Sequence, residues 1–264
     1  MDLQISGKRA LVSGSTRGIG FAIAAELARE GAKVTLNGRR PQDVEAAVER
    51  LKGLAPQAEV DGIAADLGTA YGVAALSAQL PAVDILVNNL GIFDPSPFDA
   101  IPDSEWLRFF EVNVMSGVRL SRHYLPGMKA NRWGRVVFIS SESGINTPGE
   151  MVHYGMSKSA QLAVSRGLAQ DCAGTGVTVN AVLPGPTRSE GVADFFGKLA
   201  AAEGIPLAEM EQRFFAEARP TSLIKRMIDP AEVAALVAYV CSGRAAATTG
   251  AALRVEGGIV STIC

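Results

Sequence analysis

Short runs rich in Val, Ile and Leu alternate along this chain with longer segments whose apolar positions return every three or four residues. The short runs fall at 9–13, 33–37, 60–65, 84–88, 135–140, 177–183 and Ala252–Val255. With so little polar interruption they predict strands buried on both faces. The helical segments fall at 18–30, 41–51, 69–80, 103–129, 152–172 and 230–241. Strand and helix in turn predict one doubly wound Rossmann-type α/β domain over 1–264, a seven-stranded parallel sheet with helices on both faces and right-handed crossovers. Ligands of such sheets bind beyond the carboxyl ends of the strands, near the reversal of strand order. Residues that follow strands are therefore the candidates for chemistry.

The alternation breaks once, where roughly forty residues at 189–228 separate a strand from the helix at 230. Phe195, Phe196, Met210, Phe214 and Phe215 predict helical pieces there. Two readings stand side by side: a lid that buries an apolar substrate, or packing against the body.

Composition narrows the partners. The chain is 48% hydrophobic and 20% charged, enough to bury one large core. A formal charge of -2 without a basic run argues against nucleic acid or an anionic membrane and for a small-molecule partner. Cys172, Cys241 and Cys264 are odd in number and scattered, so no disulfide framework and no metal site is indicated. The start of the chain lacks a signal pattern and no apolar run reaches membrane length, which predicts a cytoplasmic protein.

Two motifs bear on chemistry. The first strand runs into Ser13-Gly14-Ser15-Thr16-Arg17-Gly18-Ile19-Gly20 and then a helix, so tight glycine bends bring helix N–H donors up to an anion such as a phosphate. The spacing is G-x-x-x-G-x-G, unlike the usual dinucleotide fingerprint. Further on, Tyr154 and Lys158 lie one helical turn apart. An ammonium beside a phenol favours the phenolate and lowers a pKa that is ordinarily about 10, which makes the pair an acid/base near neutrality. Taken alone, such a pair is far more often a solvated surface contact.

Gly14, Gly18 and Gly20 at that spacing, Asn88-Asn89-Leu90-Gly91, Asn113, Ser141, Tyr154-x-x-x-Lys158 and Pro184-Gly185 together resemble the short-chain dehydrogenase/reductase superfamily, including its 3-oxoacyl reductases, over nearly the whole chain. The resemblance implies that Tyr154 is the acid when a carbonyl is reduced and the base when an alcohol is oxidised. Lys158 would lower the phenol pKa and bind the nicotinamide ribose, Ser141 would donate to the substrate carbonyl, and Asn113 would hold a relay water to Lys158. Gly14, Ser15, Arg17, Gly18, Ile19 and Gly20 would cradle the cofactor. Asp66 and Leu67 would meet the adenine, Asn88 and Gly91 the ribose, and Pro184, Gly185 and Thr187 the carboxamide, with Ser189 close by. At the end of the second strand, Asn37-Gly38-Arg39-Arg40 offers no acid for a ribose 2′-hydroxyl, whereas Arg39 with Arg17 suits a 2′-phosphate. NADP(H) is therefore the preferred cofactor, with NAD(H) possible and a solvated arginine pair the plainer alternative.

Leu90 and Glu256 stand where the family usually has Ala and Asp, and Leu90 either narrows the site or turns into the core. His153 and His123 read as packing residues, since neighbours on a helix point about 100° apart. The implied assembly is a homotetramer or homodimer through 103–129 and 152–172. The expected activity is reversible NADP(H)-dependent interconversion of a ketone or aldehyde with an alcohol. A non-catalytic nucleotide sensor or scaffold, and a dehydratase or epimerase, are the alternatives.

Overall fold

The computed structural model describes residues 2–263, so Cys264 lies outside the described residues. The strands are β1 (Arg9–Val12), β2 (Lys33–Gly38), β3 (Val60–Ala64), β4 (Ile85–Asn88), β5 (Gly134–Ile139), β6 (Val177–Pro184) and β7 (Ala252–Val255). All pair in parallel in the order β3-β2-β1-β4-β5-β6-β7. The order reverses between β1 and β4, in register Leu11 to Leu86 and Val12 to Val87, and the crevice opens there. β4, β5 and β6 are buried at every position, as their unbroken apolar runs predict, while the edge strands β3 and β7 are only partly covered.

The helices are α1 (Gly18–Arg29), α2 (Pro41–Leu54), α3 (Ala70–Gln79), α4 (Asp103–Phe110), α5 (Ser116–Ala130), α6 (Val152–Asp171), α7 (Glu190–Glu203), α8 (Leu207–Glu217) and α9 (Pro230–Val240). Alternate strand residues feed two cores. Val12, Ile85, Val87, Val137 and Ile139 meet α1 and α9 through Ile23, Leu27, Val233 and Val237. Leu11, Leu86, Val136 and Phe138 meet α3 and α5 through Leu76, Leu120 and Tyr124. Each fully buried aliphatic side chain contributes about 1.5–3 kcal/mol. The two layers therefore fix the strand ends to which the site belongs.

The expected single helix over 103–129 is divided. A π-helical turn, Glu111–Met115, separates α4 from α5. The Asn113 side chain is drawn to Ile92, where Oδ1 accepts from the Ile92 N–H at 2.8 Å and Nδ2 donates to the Ile92 carbonyl at 3.0 Å. A one-residue expansion of this kind leaves the apolar period almost unchanged, so the sequence pattern does not show it.

The inserted segment forms α7 and α8 with a small core of its own. Phe196, Ala200, Met210, Phe215 and Met227 are buried together. Phe196, Met210 and Phe215 are thus packing residues of the insertion, and of its aromatic side chains Phe195 and Phe214 face the cavity below. No helix among the described residues is long and apolar enough to cross a membrane.

Candidate active site

A cavity of about 430 Å³ lies beyond the carboxyl ends of β4, β5 and β6. Its floor holds Ser141, Tyr154 and Lys158, and α7, α8 and the segment after α8 form its far wall. Lys158 is buried on α6, with Nζ donating to the Ile139 carbonyl at 2.9 Å and to Gln161 Oε1 at 3.2 Å. It stands 5.5 Å from the centroid of the Tyr154 ring. Burial lowers the Lys158 pKa to about 7. Tyr154 moves the other way: burial raises its pKa first, the Glu142 carboxylate adds to the rise, and the Ser141 hydroxyl opposes both. The expected lowering of the phenol by Lys158 is not seen; desolvation and the Glu142 charge raise it instead.

Asn113 is fully buried, and its side chain is spent on Ile92 and on Ser157 Oγ, at 2.9 Å. Its main-chain carbonyl accepts from Gln161 Nε2 at 2.6 Å. Gln161 thus bridges the Asn113 carbonyl and Lys158 Nζ. An amide fixes position without passing a proton, so Gln161 orients Lys158.

The glycine turn fits a dinucleotide. A Cβ on Gly20 would stand 2.6 Å from the Gly14 carbonyl and 2.4 Å from Asn89 Nδ2, so only glycine permits this closeness. Arg17, the residue before α1, supplies no capping side chain. Instead the Gly18 N–H donates to Glu190 Oε2 at 2.7 Å, which shows that this N–H faces an anion. Ile19 lines the cavity, whereas Ser15 is buried with Oγ donating to the Val12 carbonyl at 2.7 Å and serves the turn itself. Arg17 and Arg39 are exposed and pair with no carboxylate among the described residues, while Arg40 is held by Asp43 at 2.7 Å.

Two expected cofactor contacts change. Asn88 is buried toward α5, where Nδ2 donates to Ser121 Oγ at 3.3 Å, so its side chain does not reach the cavity. Its neighbour Asn89 does, and Asn89 clamps the glycine turn by donating to the Ser13 and Gly14 carbonyls at 3.0 and 2.9 Å. Leu67 is 1% exposed and belongs to the α3 and α5 core, leaving only its backbone for an adenine. Asp66 is exposed and accepts from the Gly68 N–H at 3.1 Å. Gly91, Pro184, Gly185, Thr187 and Ser189 all line the cavity. A Cβ on Gly185 would meet the Glu256 carbonyl at 2.7 Å. Leu90 packs on the α3 and α5 core and against Gly14, so it turns inward. His153 is buried against Phe109, 4.0 Å between ring centroids, and is a packing residue. His123 stacks edge-on with Tyr124.

The strand ends, Ile19 of the glycine turn and the Ser-Tyr-Lys cluster meet at one cavity. Residues 8–199 match the short chain dehydrogenase family. The chain is 50% identical over 263 residues, and over all of both chains, to the uncharacterised oxidoreductase YvaG of Bacillus subtilis. It superposes with a TM-score of 0.93, at 31% identity and full coverage of both chains, on L-sorbose reductase of Gluconobacter frateurii solved with NADPH and L-sorbose. A single-residue variant of actinorhodin polyketide ketoreductase solved with NADPH superposes at 0.86 with 31% identity, covering 96% of this chain and 97% of its own. The protein belongs to the short-chain dehydrogenase/reductase family.

Proposed function

We propose that this protein catalyses the reversible NADP(H)-dependent reduction of a ketone or aldehyde to an alcohol, with Tyr154 as the proton donor. The observation that supports this best is the convergence of Tyr154, Ser141 and Lys158 on one cavity that also takes in Ile19 of the glycine turn. A nicotinamide bound there supplies the hydride, and the chain supplies position, charge and the proton. A phenol held protonated by burial is an acid across the neutral range, and it delivers its proton as charge grows on the carbonyl oxygen. Lys158 on the same helix face and Ser141 at the end of β5 would hold the reacting groups, and Arg17 with Arg39 would select the 2′-phosphate. Ile92, Phe93, Met151, Val192, Phe195 and Phe214 wall the cavity and favour a substrate with a hydrophobic part, such as a cyclic ketone or a 3-oxoacyl group. We place the protein in the cytoplasm as a homotetramer or homodimer through α4, α5 and α6, where Leu107 and Phe110 are exposed. NADPH and NADH oxidation assayed over a panel of ketones, beside plain NADPH binding, tests the reading. Binding without turnover of any carbonyl would make the protein a nucleotide sensor instead.

Gln161 gives this reading a pH signature. Its Oε1 accepts from the Lys158 ammonium and so favours the charged form, against a pKa that burial has already brought down to about 7. Reduction should fall as the pH rises through that value and the ammonium is lost. Gln161→Leu removes the acceptor, lowers the Lys158 pKa further and moves the falling limb of kcat to lower pH, with kcat down about tenfold, as for a lost hydrogen bond to a charge. Gln161→Glu, which keeps an acceptor and adds a negative charge beside the ammonium, should move the limb upward. Identical pH profiles in all three proteins would leave Gln161 a packing residue only.

A further inference from the structure

The cavity contains one feature that general carbonyl reduction does not use. Glu142, the residue after Ser141, is buried, and the segment beyond α8 places Arg219 against it. Their side chains are 6% and 12% exposed, and Arg219 Nε donates to Glu142 Oε1 at 3.3 Å. Both residues line the cavity. A buried ion pair costs several kcal/mol in desolvation per ion, so stability alone is a weak reason to place one in an apolar-walled pocket.

The bonding of the pair is uneven. Glu142 Oε2 is filled: it accepts from the Ser141 hydroxyl, from the Ser143 N–H at 2.7 Å and from Ser143 Oγ at 3.0 Å. Oε1 has the single long bond from Arg219 and so retains acceptor capacity. Arg219 gives Nη1 to Glu150 Oε1 at 3.4 Å and to the Ala218 carbonyl at 2.8 Å, and Nη2 donates to no described residue. An open acceptor and an open donor therefore stand together, beside Ser141, whose hydroxyl donates to Glu142.

Charge selects what fits. An anionic group is repelled by Glu142 and Glu150, and an ammonium has no acceptor to offer Arg219. A plain ketone or a second carbonyl leaves the acceptor unmatched. A neutral hydroxyl satisfies both, donating to Glu142 Oε1 while accepting from Arg219. Building on the carbonyl-reductase reading, we infer that Glu142 and Arg219 form a hydroxyl subsite and that the substrate class is ketones bearing a hydroxyl on the carbon next to the carbonyl. The apolar walls take the remainder of the molecule, and the product is a vicinal diol.

Three ketones test this: 2-hydroxyacetophenone, 2-methoxyacetophenone and acetophenone. The methyl ether retains the electron withdrawal of the hydroxyl and removes its proton. With NADPH, kcat/KM for the hydroxy ketone should exceed that for the methoxy ketone by at least tenfold, as expected of a site built to pair a hydroxyl. In the charge-neutral double variant Glu142→Leu with Arg219→Met the ratio should approach one, whatever happens to absolute rates. The single variant Glu142→Gln, close in shape, checks that the pocket survives, since it should keep part of the ratio. Equal kcat/KM for the hydroxy and methoxy ketones in the wild type, or a ratio unchanged in the double variant, would overturn the subsite while leaving carbonyl reduction intact. Failure of all three ketones to oxidise NADPH would overturn both readings.

Discussion

Tyr154→Phe is expected to lower kcat for NADPH-dependent ketone reduction about a thousandfold while leaving the Kd for NADPH within about threefold. The phenol oxygen lies in the cavity beside Ser141, and its loss removes the only proposed proton donor that touches the carbonyl. The ring remains, and α6 retains the packing that its buried positions provide. Fold and cofactor site should therefore survive, separating this variant from one that merely unfolds. Thermal stability should change little, because the ring stays and only a hydroxyl is removed. Turnover within tenfold of the wild type would remove Tyr154 from the acid role.

The second large effect concerns cofactor choice. Arg17→Ala with Arg39→Ala should lower kcat/KM for NADPH about a hundredfold and leave the value for NADH nearly unchanged. Each guanidinium bonded to a phosphate contributes about 1.5–3 kcal/mol, discounted here because both side chains are exposed and screened by salt. Neither arginine pairs with a carboxylate among the described residues, so alanine at these positions breaks no ion pair. An equal loss with both cofactors would indicate damage to the glycine turn and not loss of a 2′-phosphate contact.

Much of this was legible in the sequence, for identifiable reasons. Unbroken apolar runs such as Ile85-Leu86-Val87 have one physical use, a strand covered on both faces, and the glycine turn has its own constraint at Gly20, where a Cβ cannot fit. Tyr154 and Lys158 were found because helical spacing makes i and i+4 neighbours. What was missed depends on contacts between distant segments. The link from Lys158 through Gln161 to Asn113 requires a π-turn that the apolar period does not show. Glu142 could have drawn notice as a charge in a small polar strand end, yet its partner Arg219 lies 77 residues away. Glu190 reaches Gly18 across 172 residues.

Periodicity bears on two further positions. Residues two apart in a strand share a face, so Asn88 follows Leu86 toward α5, leaving Asn89 to meet the crevice. Adjacent helix residues point about 100° apart, so Phe195 and Phe196 cannot both face a substrate. In the structure Phe196 enters the insertion core and Phe195 lines the cavity.

The central claim is hydride transfer from NADPH to a carbonyl with a proton from Tyr154. Incubating the protein with an α-hydroxy ketone and NADPH deuterated at the transferring position of the nicotinamide C4, then examining the alcohol by mass spectrometry, tests it most directly. One deuterium on the carbinol carbon in the wild type, and about a thousandfold less labelled product with Tyr154→Phe, is the predicted result. Unlabelled alcohol, or labelled alcohol formed as fast without the phenol, would contradict it.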